Sequence, residues 1–297
     1  MSRITICIPT YNSERYISEA IESVLQQEVQ DFKLVIVDDN SSDTTLSIVE
    51  SFCSVDARIY IRRHSENSGA MGLAIQEVMR ECDTKYFMWF GSDDVLTREY
   101  VSRLLEILET SDADYVYSDF QVMDELGNPV EVWRYPLLEL PIYIGRLLQT
   151  FSGSLPMNGV FKISKLREKN LDWILYKGES RSSDTINGLY FRINGLKFCR
   201  CEEPLFKYRV HTSNLSHELS SRLISDRNVI DFIFETFPEL VSFIAMSRKM
   251  TILQLYMFVS SNCEMQIKRR LEFAPELWEG RGGFVGAKAS KISYRSF

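Results

Sequence analysis

No stretch of this 297-residue sequence is long and apolar enough to cross a bilayer. A spanning helix needs about 20 apolar residues, and the most apolar C-terminal run, Thr251 to Ser260, is about half that length, with Arg248 and Lys249 before it. Basic charge is also short: 34 Lys and Arg face 41 Asp and Glu, a net −7. That balance argues against a nucleic-acid binder, which follows phosphates with a basic excess. Cysteine lacks pattern. None of Cys7, Cys53, Cys82, Cys199, Cys201 and Cys263 stands at metal-ligand spacing, and the Cys199/Cys201 pair has no second pair to complete a zinc site. Scattered thiols fit a reducing compartment. Met1-Ser2-Arg3 runs straight into an apolar strand followed by polar residues, so no secretory signal is expected. These absences predict a cytoplasmic protein whose membrane contact, at most peripheral, is at the inner face.

What is present is a globular composition, 45% hydrophobic, long enough for one large α/β domain with an appendage. Several apolar runs end in carboxylates. Tyr86-Phe87-Met88-Trp89-Phe90 reads as a buried strand that leads through Gly91 and Ser92 to Asp93-Asp94. In open α/β sheets ligands gather at the carboxyl ends of strands, so a divalent cation could bridge this pair to a substrate diphosphate; alternatively the pair caps a helix starting near Thr97. Ile4 to Ile8 is a first strand, closed by Pro9-Thr10-Tyr11-Asn12, with a helix from about Glu14 to Val29. Phe32 to Val37 is a second, ending in Asp38-Asp39, with Asn40 to Asp43 capping a helix from Thr44 to Phe52. Ile59 to Arg62 is a third, Asn67-Ser68-Gly69 a turn, and Ala70 to Arg80 a helix. Strands alternating with helices predict a parallel sheet with right-handed crossovers. After Asp119, Phe120 to Met123 and Val130 to Trp133 read as a hairpin lying over the functional edge.

The segments Ile8 to Asn12, Val35 to Asp39, Asn67-Ser68-Gly69 and Gly91-Ser92-Asp93-Asp94 resemble, in order and spacing, those of the family 2 glycosyltransferases. Asp114 to Asp119 and Leu205 to His211 are similar to that family's later segments, so the likeness covers roughly residues 1–217. It implies a GT-A (Rossmann-like) α/β fold: a mostly parallel sheet flanked by helices, with a catalytic domain over 1–217 and a helical extension over 218–297. It further implies inverting transfer from a nucleotide-sugar, a UDP-sugar foremost, to a glycan or lipid-linked acceptor, with Mg²⁺ or Mn²⁺, in bacterial surface polysaccharide assembly. By the same resemblance Thr10, Tyr11 and Asp39 contact the nucleoside, Asp93 the ribose, and Asp94 the metal. Two departures stand out. Gly91 occupies the place of an acid found in many relatives, and Leu73-Ala74-Ile75 replaces a segment that often holds a phosphate-binding arginine, leaving Arg62, Arg63, Lys207 and Arg209 as candidates.

Ser183-Asp184, opening an amphipathic helix ahead of the Tyr208-Arg209-Val210-His211 segment, matches the family's catalytic base, which makes Asp184 the expected base and Glu179 and Asp172 the alternatives. His211 is either a further metal ligand or a phosphate contact, or else a structural histidine. Beyond Ser220 lie helices over Leu223 to Phe237 and Glu239 to Ser260, then a tail, 280–297, with Arg281, Lys288, Lys291 and Arg295 and no acid. That tail could meet anionic lipid headgroups or stay solvated. Two other functions share the pattern. A sugar-phosphate nucleotidyltransferase would need a glycine-rich basic loop where Pro9 to Asn12 stands, and a non-catalytic nucleotide-sugar-binding subunit would bind without turnover.

Overall fold

A computed structural model describes residues 2–140, 142–144, 156–178, 183–212, 214, 219–248 and 250–260. Glu179, Cys263 and the 280–297 tail lie outside the described residues.

Four buried runs make the parallel half of the sheet: β1 (Ile4–Thr10), β2 (Phe32–Asp38), β3 (Ile59–Arg63) and β4 (Tyr86–Trp89). β1 pairs in parallel with β2, placing Thr10 beside Asp38, and with β4, placing Cys7 beside Trp89; β3 lies outside β2. Strand ends carrying Thr10, Asp38 and Trp89 are therefore neighbours on one edge. Pleating sends alternate residues to opposite faces. Ile4, Ile6 and Ile8 pack in one layer with α1 (Ile17–Leu25) and α4 (Tyr100–Thr110), whereas Cys7, Val37 and Trp89 pack in the other with α3 (Met71–Glu81). Between them in sequence, α2 (Thr45–Val55) follows β2.

Several boundaries move from the sequence expectation. α1 begins at Ile17, not near Glu14, because Asn12 turns through φ +48° and residues 13–16 form a turn ahead of it. Asp93 and Asp94 do not cap a helix either: the chain enters a two-residue strand, β5 (Val95–Leu96), before α4. The expected hairpin is also revised. Its first arm is the end of one long strand, β6 (Tyr115–Met123), and its second is β7 (Pro129–Trp133). β6 is almost wholly buried because β9 (Phe198–Arg209) runs parallel along its length, so the hairpin extends the sheet. β8 (Val160–Lys162) fits antiparallel between β4 and β6, giving the order β3-β2-β1-β4-β8-β6-β9-β5.

After β8 come α5 (Ile163–Glu168) and α6 (Ser183–Ile193). Among the described residues the C-terminal part holds three helices: α7 (Leu219–Thr236), α8 (Pro238–Ser247) and α9 over 252–260. Ile230, Ile233, Val241, Ala245, Leu255 and Val259 join the same apolar cluster as Trp89, Trp173 and Leu189. This extension shares its core with the α6 side of the sheet.

Candidate functional site

The loops after β1, β2 and β4 are tied together at the sheet's carboxyl edge. Asn12 N–H donates to Ser41 Oγ (2.9 Å), Ser42 N–H donates to Asn12 Oδ1 (2.9 Å), and the Ser13 and Ser92 hydroxyls share a hydrogen bond of 2.7 Å. This ring of small polar residues leaves Tyr11 48% exposed, an aromatic face at the rim suited to stacking. Thr10 Oγ1 is buried with no hydrogen-bond partner. Buried polar atoms are normally satisfied, so such an atom marks a place for a ligand.

The two carboxylates after β2 have different surroundings. Asp38 is fully buried and accepts the Ser41 N–H at 3.2 Å, so it serves the turn into α2. Asp39 faces the turn after β3: four donors, His64 Nδ1 (2.7 Å), the Ser68 and Gly69 amides and the Ser68 hydroxyl, converge on it. A carboxylate offers about four lone-pair positions, so a nucleoside N–H reaches Asp39 only by displacing one of these donors. Gly69 makes the turn possible with φ +64°. Burial raises the Asp39 pKa, but the His64 and Ser68 hydrogen bonds outweigh it and the net direction is down. His64, passed over in the sequence, also meets Glu77 at 3.2 Å. Burial lowers its pKa, the Asp39 and Glu77 hydrogen bonds raise it, and the net direction is up.

Asp93 and Asp94 curl back around Gly91. A Cβ on Gly91 would sit 2.6 Å from Asp93 Oδ1 and 2.9 Å from Asp94 Oδ2, so the missing side chain at 91 leaves the space both carboxylates face. Asp94 is 6% exposed and accepts the Arg209 N–H at 2.9 Å. Its pKa is pushed well up by burial and by Asp93. A divalent cation would relieve this crowding of negative charge. Among the described residues no cluster of three or more His, Cys, Asp or Glu is arranged for a metal, so a cation here would take its remaining ligands from a diphosphate. On those terms the residues fit Mg²⁺ or Mn²⁺.

His211 meets Asp93 rather than Asp94: its Nε2 is 3.0 Å from Asp93 Oδ2, which also accepts from Asn214 Nδ2 at 3.1 Å. The Tyr16 ring lies 4.8 Å from the His211 ring. Arg209 is not available to a phosphate. It is 1% exposed, donates from Nε to the Asp93 carbonyl (2.8 Å), pairs with Glu19, and lies 4.7 Å over Tyr16. Arg62 is paired with Glu81, and Arg63 sits 3.5 Å from Asp38, which leaves Lys207 with no ion pair among the described residues.

Asp184 lies in the first turn of α6. Its Oδ1 is buried without a partner, and burial raises its pKa to about 7. At the buried hydroxyls of Tyr115 and Tyr135 its charge is a further influence, behind the burial itself. Packing links the helix of Asp184 to the strand that leads to the acidic pair. Trp89, two residues before Gly91, meets Trp173 edge-on at 5.7 Å; the next residue, Ile174, exchanges hydrogen bonds with Asn187, one turn beyond Asp184 on α6. Both indole N–H groups are buried without partners.

Comparison with known proteins gives the family and the fold. The family model described as glycosyl transferase family 2 matches residues 5–157, just over half the chain. The chain belongs to that family. The poly(ribitol-phosphate) β-N-acetylglucosaminyltransferase TarS of Staphylococcus aureus is 25% identical over 154 residues, 51% of this chain and 27% of TarS. The glycosyltransferase TuaG of Bacillus subtilis, described as a teichuronic acid biosynthesis enzyme, is 27% identical over 128 residues, 43% of this chain and 50% of TuaG. The chain thus spans half or less of these curated relatives. Among solved structures, TarS residues 1–349 superpose with a TM-score of 0.63 at 18% identity, covering 93% of this chain and 77% of that one. TarS has also been solved with UDP-GlcNAc. The mannosyltransferase PcManGT of Pyrobaculum calidifontis, solved with GDP-mannose and Mn²⁺, superposes at 0.59 and 13% identity, covering 92% and 75%. Likeness at these identities establishes the fold, and it is GT-A.

Tyr16, His64, Ser92, Asn214 and the two tryptophans were not singled out from sequence. His64 lies 25 positions from its partner Asp39 and Trp89 lies 84 from Trp173, and only the fold brings them together. Ser92, inside the acidic motif, had a local signal.

Proposed function

We propose that this chain is an inverting glycosyltransferase that moves a sugar from a nucleotide-sugar, a UDP-sugar foremost, to an acceptor hydroxyl in bacterial surface polysaccharide assembly. The observation that carries this reading is Asp184: a half-buried carboxyl with one buried, unpartnered oxygen and a pKa raised to about 7, as a general base working near neutrality needs. In the transfer, the acceptor oxygen bonds to the anomeric carbon while its proton passes to Asp184 and the bond to the nucleotide's terminal phosphate oxygen breaks on the opposite face. Thr10 supplies a free hydroxyl and Tyr11 an exposed ring to the nucleoside, Asp93 accepts from the ribose, and Asp39 takes part by exchanging one of its four donors. Asp94, with Asp93 beside it, would hold Mg²⁺ or Mn²⁺, with His211 orienting Asp93. When bound, the cation supplies charge stabilisation at the departing diphosphate, worth several kcal/mol. We assign donor binding and transfer to 1–217 and treat 218–297 as a supporting extension, working on the cytoplasmic side.

The TarS complexes make UDP-GlcNAc the first donor to try, with a ribitol-phosphate oligomer as acceptor. Asp184→Asn should lower transfer by about 100- to 10,000-fold while UDP binding, measured calorimetrically with Mn²⁺, stays unchanged; near wild-type transfer would move the base elsewhere. In the same titration Asp94→Ala should lose the metal-dependent part of binding. A second reading is favoured by Gly91 and by the crowded Asp39: a binding subunit without turnover. It would bind UDP yet release none from UDP-sugar in the presence of any acceptor.

A further inference from the structure

His64, the first residue past β3, stands between two carboxylates. Its Nδ1 lies 2.7 Å from Asp39 Oδ1, and its Nε2 lies 3.2 Å from Glu77 Oε2 on α3. The backbone is fixed as well, because the His64 N–H donates to the Asp38 carbonyl at 2.9 Å. Little water reaches the first contact: the His64 side chain is 18% exposed and that of Asp39 14%.

The two partners dictate the protonation of the ring. A carboxylate offers lone pairs and no proton, while a neutral imidazole has one N–H and one bare nitrogen. Neutral His64 therefore satisfies one partner and turns a lone pair on the other. Both contacts are hydrogen bonds only when both ring nitrogens carry protons. The charged groups facing the ring are Asp39 from the end of β2 and Glu77 from α3; the neighbouring Arg62 and Arg63 are turned to Glu81 and to Asp38 and Asn40. Burial lowers the His64 pKa, yet its hydrogen bonds to Asp39 and Glu77 carry the net direction up.

We propose that His64 is a positioning residue for nucleotide binding: as an imidazolium bridging Asp39 and Glu77, it holds the Asp39 carboxylate in place for the nucleoside. This deepens the donor assignment and rests on it. One of the four donors on Asp39 must leave when a base N–H arrives. The Ser68 hydroxyl is that donor, since it turns about its own C–O bond, whereas the Ser68 and Gly69 amides are set in the turn and the ring is anchored by Glu77. His64 then stays on Oδ1 while the nucleoside takes the Oδ2 side. Once the ring loses its proton it can no longer hold both carboxylates, so nucleotide binding weakens as pH rises through the His64 pKa.

The test combines calorimetric UDP titrations at pH 6 and pH 8.5 with two substitutions. Glu77→Gln puts an amide of the same shape beside Nε2; the amide can donate, so a neutral ring then satisfies both partners. His64→Gln removes the titrating group. The diphosphate and His211 also titrate, so each variant is compared with the wild type at the same pH. Between the two pH values the wild type should lose about two- to tenfold in UDP affinity relative to either variant, the worth of one hydrogen bond. The ring itself is read in the nitrogen spectrum of a chain with three histidines, where the His64 signal is the one missing from His64→Gln. Its midpoint should lie above the roughly 6.5 of an ordinary histidine and fall in Glu77→Gln. A midpoint at or below that value overturns the proposal, as does one that Glu77→Gln leaves unmoved. So does a wild-type affinity that changes with pH no more than the variants' do, which would reduce His64 to a structural ion pair. No UDP binding by the wild type at either pH would instead sink the donor assignment and with it the role of Asp39, and the spectrum alone would then decide the charged bridge.

Discussion

Asp184 carries two consequences at the level of the single residue. Burial raises its pKa from 3.8 to about 7, and only the ionised form takes a proton from an acceptor, so transfer should rise with pH through about 7 and then level off. A profile of kcat against pH checks this; a rate flat from pH 5 to pH 8 would remove Asp184 from the proton transfer. The same shift acts on stability. The folded state holds the proton more tightly than the unfolded state, so this contribution is complete below about pH 4 and is lost as pH rises through about 7. Asp184→Asn, neutral at every pH, should therefore melt above the wild type at pH 8, and the gap should close as the pH falls to 4. The site's polar atoms were legible in unequal measure. Asp93, Asp94 and Asp39 show themselves as acids at the ends of apolar runs, a local signal. That Asp39 is already surrounded by four donors is visible only once His64 and Ser68 arrive from β3 and the turn beyond it.

At the level of elements, β9 holds the acidic motif in place. Its last residue, Arg209, donates its N–H to Asp94 and reaches with its guanidinium to the Asp93 carbonyl and to Glu19 on α1. In sequence Arg209 looked like one of four cations available to phosphate, because a surface arginine and a buried strut have the same local pattern. Replacing it by Met keeps much of the volume but strands Glu19 and the Asp93 carbonyl. Losing one partner of a buried ion pair costs about 3–5 kcal/mol, and Glu19 is half exposed, so a loss of about 2 kcal/mol is expected, read as a lower denaturation midpoint. UDP binding should weaken with it. An unchanged midpoint would mean β9 is held by its ladder with β6 alone. The first four strands were readable because each is a compact apolar run. β8 was not, since three residues between loops carry no period, and β6 was read as two pieces because nothing local announces that β9 will cover its whole length.

For the whole molecule, the extension over 219–260 is joined to the catalytic part through one apolar cluster, in which Ile230, Ile233, Leu255 and Val259 lie with Trp173 and Leu189. Truncation after residue 217 would expose that face, and each large apolar side chain left bare forfeits about 1.5–3 kcal/mol. The shortened chain should give a broad, low thermal transition and weakened UDP binding; a sharp transition near the wild-type temperature would show that 1–217 is an independent unit. The family membership and the parallel half of the sheet were set by local order: apolar runs of strand length, polar turns, amphipathic helices and acids at the strand ends, all within a few residues of one another. Hydrophobic period and turn chemistry are local properties, so they determine elements directly. The antiparallel insertion of β8, the burial of Arg209, the His64 contact with Asp39 and the pKa of Asp184 were decided by tertiary structure. Each depends on which distant residues exclude water from a group, or fail to, and that is settled only when the layers close.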